Sequence, residues 1–241
     1  MSRAAAAALL AVAPLALAAC ESTADKSARI GRQGSHLLAG EKSLKVRTNA
    51  DVQVRRAVVV SSSGSVAVAV ELRNRGSSAQ ADVPVLVDVR DRRGASLYRN
   101  DAGGLQPALQ RIALLRPGRS AWWVNDQVLA QSTPRSVKVR VGAARRIARV
   151  PRVDLRQVRL DGDAGGTFAT GIVVNRSGAL QRELPIFAVA LRGSRVVAAG
   201  RALVPKLPAT ATPKPTRFRV FFVGDPRGAR IVLTVAPAAT A

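Results

Sequence analysis

The sequence predicts an all-β protein made of two tandem β-sandwich domains behind an export signal and a flexible tether. Three observations carry the prediction. Beyond about residue 45, apolar residues alternate with a period of two, the pattern of strands that bury one face. Short turn signals containing glycine or proline separate these runs,. A stretch of the first half also recurs in the second at a constant offset, the sign of a duplicated unit.

The first nineteen residues carry one charge, Arg3, followed by an apolar run from Ala4 to Ala19 that is broken at Pro14. This is the layout of a signal peptide. A permanent bilayer helix needs about 20 apolar residues, so residues 1–19 are expected to be removed. The run closes on Leu17-Ala18-Ala19-Cys20. That quartet resembles the bacterial lipobox, in which a leucine and two small residues precede a cysteine that takes up a diacylglyceryl group. The resemblance implies that Cys20 is the lipidation site and that Leu17, Ala18 and Ala19 are read by the signal peptidase. It further implies an exported chain, anchored by lipid to the outer face of the cytoplasmic membrane or to the outer membrane or cell surface. Cys20 is the only cysteine in 241 residues. Two or more acyl chains, at ~0.8 kcal/mol per buried CH₂, make a stable anchor where one does not.

Residues 20–45 read as a tether of Ser, Gly, Ala and charge. About 25 residues of such chain span roughly 25–30 Å. Its basic residues, Lys26, Arg29, Arg32, Lys42 and Lys45, with Arg47 just beyond, either add ~1 kcal/mol each against anionic headgroups or belong to a solvated leash.

The first domain is expected over residues 46–142, with strands near 52–60, 64–74, 83–91, 94–99, 109–116, 119–125 and 136–142. Val66, Val68, Val70 and Leu72 share one face of their strand, and Ala67, Ala69 and Glu71 the other. Val137, Val139 and Val141 alternate with Lys138 and Arg140, giving a dry face and a charged one. Seven short strands suggest a sandwich. Residues 143–151 read as a basic linker. Its Arg145, Arg146 and Arg149, with the adjoining Arg152, are candidate surface contacts.

The second domain is expected over residues 152–236, followed by a tail at 237–241. Asn74-Arg75-Gly76 through Val83-Pro84-Val85 aligns with Asn175-Arg176-Ser177 through Leu184-Pro185-Ile186 at an offset of 101 residues (175 − 74). Ala121-Trp122-Trp123-Val124 aligns with Val220-Phe221-Phe222-Val223 at an offset of 99 (222 − 123). On that alignment Trp123 and Phe222 should lie in the two cores, with Trp122 on the opposite face as an exposed contact. The strand, Asn-led turn and valine-rich strand at Asn74 and Asn175 resemble the small immunoglobulin-like modules of bacterial envelope proteins, the FxLYD and bacterial cell-adhesion-related types. The resemblance implies an immunoglobulin-like sandwich for each half. With one cysteine, neither sandwich can hold an internal disulfide.

Hydrophobic residues make up 47% of the chain but aromatics only 3%, so small aliphatic side chains must build the cores. The formal charge is +23, mostly from arginine. Such an excess predicts attraction to polyanions, and it is equally what a GC-rich genome yields without selection for binding. Nucleic acid is disfavoured as a partner: the chain reads as exported, its basic residues are dispersed, and no RNA-binding strand pair is visible.

No catalytic device is expected. The single histidine, His36, falls in the tether, without the held nucleophile and carboxylate that triad chemistry needs,. Asp161-Gly162-Asp163-Ala164-Gly165-Gly166 lacks the further ligands of a calcium loop and reads as a hairpin turn,. Neither a metal nor a cofactor is expected. The leading expectation is a non-catalytic, membrane-anchored binding or spacing module whose partner is a protein or an anionic envelope polymer. Two rivals stay open: an accessory or assembly subunit of an envelope complex, and a hydrolase with an unrecognised site.

Overall fold

Alternating valines and short turns fold here as expected. The computed structural model describes residues 44–102, 104–209 and 215–239. All of its regular structure is strand apart from one short 3-10 turn, Pro107–Leu109. The first half supplies β1 (Val52–Ser62), β2 (Ser65–Asn74), β3 (Ala79–Arg90), β4 (Ser96–Arg99), β5 (Arg111–Leu115), β6 (Ser120–Asn125), β7 (Ser136–Val141) and β8 (Arg145–Ile147). The second supplies β9 (Val153–Asp163), β10 (Gly166–Asn175), β11 (Gln181–Arg192), β12 (Arg195–Leu207), β13 (Thr216–Phe221), β14 (Val223–Gly224) and β15 (Arg230–Val235).

These strands form four antiparallel sheets. Sheet I has the order β1-β2-β6, and sheet II centres on β3, with β4 and β5 on one edge and β7 and β8 on the other. Sheet III has the order β13-β10-β9, and sheet IV the order β14-β12-β11-β15. Tight turns set the registers. In the β1–β2 hairpin Ser62 faces Ser65, and both intervening residues, Ser63 and Gly64, have positive φ, as a two-residue type I′ turn requires. Asp163 faces Gly166 across the β9–β10 turn, so the Asp161–Gly166 segment is the hairpin turn expected of it.

The repeat is visible in side-chain geometry. The Asn74 side chain donates to the carbonyls of Ser78 (2.9 Å) and Leu115 (3.2 Å) and accepts from the Gly76 amide (2.9 Å). Asn175 donates to the carbonyls of Ala179 (2.8 Å) and Leu207 (3.1 Å) and accepts from the Ser177 amide (2.9 Å). Asp82 and Glu183, also 101 residues apart, both adopt a positive φ, 54° and 46°. The copies differ at one edge: β12 runs unbroken beside β11, whereas its counterpart is split into β4 and β5. Buried Asn100 pins the intervening segment. It accepts from the Val87 amide and donates to the carbonyls of Val85 and Leu109.

The aromatic alignment needs correcting. Val70 pairs with Trp123, and its counterpart Gly171 pairs with Phe218. Phe218, not Phe222, therefore occupies the position of Trp123, and both are buried in their respective cores. Phe222 is half-buried where the chain leaves sheet III at β13 and joins sheet IV at β14. Gly200 makes that crossing possible, because a Cβ there would sit 1.9 Å from the Phe221 carbonyl oxygen.

Trp122 is also corrected: it is 5% exposed. Strand alternation does turn it away from the first core, but the second half covers that face. Sheet I presents Val58, Val60, Ala67, Ala69 and Trp122 outward, and sheet IV meets it with Phe187, Val189, Leu191 and Ala199. Residues of both halves thus join one hydrophobic cluster, while a second lies between sheets III and IV. Alternation along β11 explains how one strand serves both: Phe187, Val189 and Leu191 belong to the shared cluster, and Leu184, Ile186 and Ala188 to the second. Residues 143–151 do not simply link the halves, since β8 inside this stretch pairs with β3.

Candidate functional site

The stacking order leaves two outer faces, those of sheets II and III. On sheet II, outward residues of β3 are Leu86, Asp88 and Arg90. Asp88 is flanked in register by Arg99 of β4 and Lys138 of β7, and Leu86 lies beside Arg140. Asp101 joins them at the end of β4. Together they line a groove of about 590 Å³. Arg90 donates from Nε (2.8 Å) and Nη2 (2.5 Å) to Asp88 Oδ2, and Arg99 pairs with Asp101. The other carboxylate oxygen, Asp88 Oδ1, is buried and has no hydrogen-bond partner.

On sheet III, Phe168, Thr170 and Ile172 of β10 face outward beside Arg156 and Arg159 of β9 and Arg217, Arg219 and Phe221 of β13. The Arg219 guanidinium lies 4.8 Å from the Phe168 ring centre, a cation–π arrangement. The Phe168 and Phe221 rings are 5.1 Å apart, and Phe221 is 45% exposed. Asp161 and Asp163 pair with Arg159 and Arg219 at 3.7 and 3.4 Å.

The arginines singled out in the sequence lie elsewhere, on the side of the stack where the halves join. Arg145 approaches Asp82 at 3.8 Å and Arg146 approaches Asp51 at 3.0 Å. Arg149 is exposed. Arg152 donates to Asp154 at 3.1 Å, and Arg176 reaches the same carboxylate at 2.9 Å. Burial works to raise the Asp154 pKa, but the Arg152 hydrogen bond and the charges of Arg152, Arg176 and Arg156 together hold it below the ordinary carboxylate value. Asp225 is held low as well, first by its hydrogen bonds from Arg227. Trp122, buried between the halves, offers no surface contact. Cys20, Leu17, Ala18, Ala19 and His36 lie outside the described residues.

Sequence reasoning missed one functional-looking group inside the joint. Arg201, with 4% of its side chain exposed, pairs through Nε with Asp126 Oδ1 at 3.2 Å and donates from Nη1 to Gln106 Oε1 at 2.7 Å. It also missed the sheet II groove as a unit, although alternation along β7 marked Lys138 and Arg140 as a charged face. Among the described residues, no group of three or more His, Cys, Asp or Glu is placed to hold a metal ion. No helix among them is long and apolar enough to cross a membrane. No protein-family model matches the chain, and no curated protein matches it either.

Proposed function

We propose that this chain is a lipid-anchored envelope protein, held through Cys20, that works without catalysis by presenting basic faces to an anionic partner at the membrane surface. One observation carries the reading. Apart from the Arg201–Asp126 pair, the faces pressed together between the halves are apolar, whereas the outer faces display Arg90, Arg99, Lys138 and Arg140 at one end and Arg156, Arg159, Arg217 and Arg219 at the other. Arginine is spread over much of the exposed surface, but on these two sheet faces it forms flat arrays, which suit an extended polyanion,. The stack behaves as a stiff platform because its halves share a core, and the lipid supplies proximity to the membrane.

Two measurements test the reading. Cys20→Ala should release the chain from membranes washed at high salt, and retention there would refute the lipid anchor. Pull-down on anionic wall polymer should weaken steeply as ionic strength shortens the Debye length from ~10 Å at 0.1 M to ~3 Å at 1 M. Salt-independent capture, or none, would refute the electrostatic role.

A further inference from the structure

We infer that the outer face of sheet III is the face this protein lays against an anionic lipid bilayer. The inference rests on the reading above that the chain is held at a membrane, and it names the face that the bilayer meets.

The repeat shows how far this face departs from its counterpart. Strand register equates Arg159, Asp161, Phe168, Thr170 and Arg217 of sheet III with Val58, Val60, Ala67, Ala69 and Trp122 of sheet I. The sheet I residues pack against sheet IV within the shared cluster. In sheet III the same face meets solvent: Arg156, Arg159, Asp161, Arg217, Arg219 and Phe221 are all exposed. In register across β10, Arg159 and Arg219 flank Thr170, and Arg156 and Arg217 flank Ile172. Two strand spacings of about 4.8 Å separate the members of each pair, and the two rows lie about 7 Å apart along the sheet. The four arginines therefore spring from a plane, and a plane of anionic headgroups can meet both rows at once.

Charge alone would keep such a face solvated, and the aromatic pair within it goes further. Arg219 and Phe221 cover Phe168, which is 3% exposed. Of the chain's two tryptophans, one tyrosine and five phenylalanines, Phe221 alone is exposed, at 45%. An open ring among arginines is what interfacial binding uses: the ring sinks to the boundary between headgroups and acyl chains while the cations stay with the phosphates. Asp161 and Asp163 oppose the attraction but pair with Arg159 and Arg219, so cations stay in excess, and Arg156 and Arg217 add theirs at the other end of the face. The sheet II face also carries cations, but its outward apolar residue, Leu86, is buried, which leaves it nothing to insert.

The test reads the ring directly. In the full-length chain carrying Cys20→Ala, so that no lipid holds it, Phe221→Trp adds one emitter at an exposed position. The native Trp122 and Trp123 are buried and supply a constant background. On phosphatidylcholine vesicles containing phosphatidylglycerol the added emission should shift to the blue, and on phosphatidylcholine alone it should not. Lys138→Trp, on sheet II, should shift on neither. Adding Arg156→Ala and Arg217→Ala to Phe221→Trp should raise the lipid concentration at half-shift roughly thirtyfold, since each cation near an anionic surface strengthens binding roughly fivefold. All four substituted positions are exposed, and thermal unfolding checks that each variant folds.

Equal shifts for Phe221→Trp and Lys138→Trp, or a shift on phosphatidylcholine alone, would overturn the inference. A shift indifferent to the loss of Arg156 and Arg217 would overturn it too. Emission from Phe221→Trp that stays unshifted on anionic vesicles would exclude the bilayer as occupant of this face. Capture of that same chain by anionic wall polymer would then leave the anionic-partner reading standing, and capture by neither would end both.

Discussion

Arg201 of the second half grips Asp126 of the first across the joint between them. Its guanidinium Nε lies 3.2 Å from Asp126 Oδ1, and its backbone amide donates to Oδ2 at 3.0 Å. The two partners are unequally buried, with 4% of the Arg201 side chain and 19% of the Asp126 side chain exposed. That inequality sets the expected response to mutation.

Asp126→Ala strands a buried cation, and should cost about 3–5 kcal/mol. Arg201→Met leaves only a carboxylate that water can reach, and should cost less. Urea denaturation of both variants measures the asymmetry. Equal losses would mean that the pair is better hydrated than its burial indicates.

Asn74→Ala and Asn175→Ala should destabilise by similar amounts, about 1–3 kcal/mol each, because each leaves a buried carbonyl, of Leu115 or Leu207, without its donor,. The same denaturation series checks this. A large loss for one and none for the other would show that the two turns, alike in geometry, differ in energetic weight.

Tyr98 is the only tyrosine, so its ionisation can be followed without overlap from others. Burial raises its pKa above the ordinary 10.0, against opposing contributions from the Asn125 hydrogen bond and the Arg201 charge. The sign follows for an acid whose folded pKa is raised. Its contribution to stability is complete below pH 10.0, the unfolded value, and is lost as pH rises through the folded pKa. The tyrosinate absorbance of the native chain should therefore appear at higher pH than that of the urea-unfolded chain. Coincident titrations would contradict the buried placement of the ring.

Much of the fold was legible because period-two alternation is a local signal. The valines of 66–72 and 137–141 declared their strands, and the Asp161–Gly166 segment declared its hairpin. The Asn74 and Asn175 turns disclosed the duplication, since a buried amide satisfying its own turn leaves a fixed residue spacing. Residue similarity misled where geometry decides. Trp-Trp and Phe-Phe look alike, yet cross-strand pairing equates Trp123 with Phe218. The cover over Trp122 was invisible for a different reason: its neighbour Thr234, whose Oγ1 accepts from the Trp122 amide at 3.0 Å, is more than a hundred residues away. The groove escaped notice because its residues come from three strands, β3, β4 and β7, far apart in the chain. Asp88 and Arg99 become neighbours only once sheet II has formed.

The two halves meet through unlike surfaces, the back of sheet I against the front of sheet IV. Such a joint has no two-fold axis; it is head-to-tail, the kind of contact that can in principle be repeated from molecule to molecule without closing. What stops the series is the charge at its ends. The next joint would have to press the Arg90, Arg99, Lys138 and Arg140 face of one copy onto the Arg156, Arg159, Arg217 and Arg219 face of another, and cations outnumber carboxylates on both. Like charge on the two outer faces thus opposes the addition of a further layer.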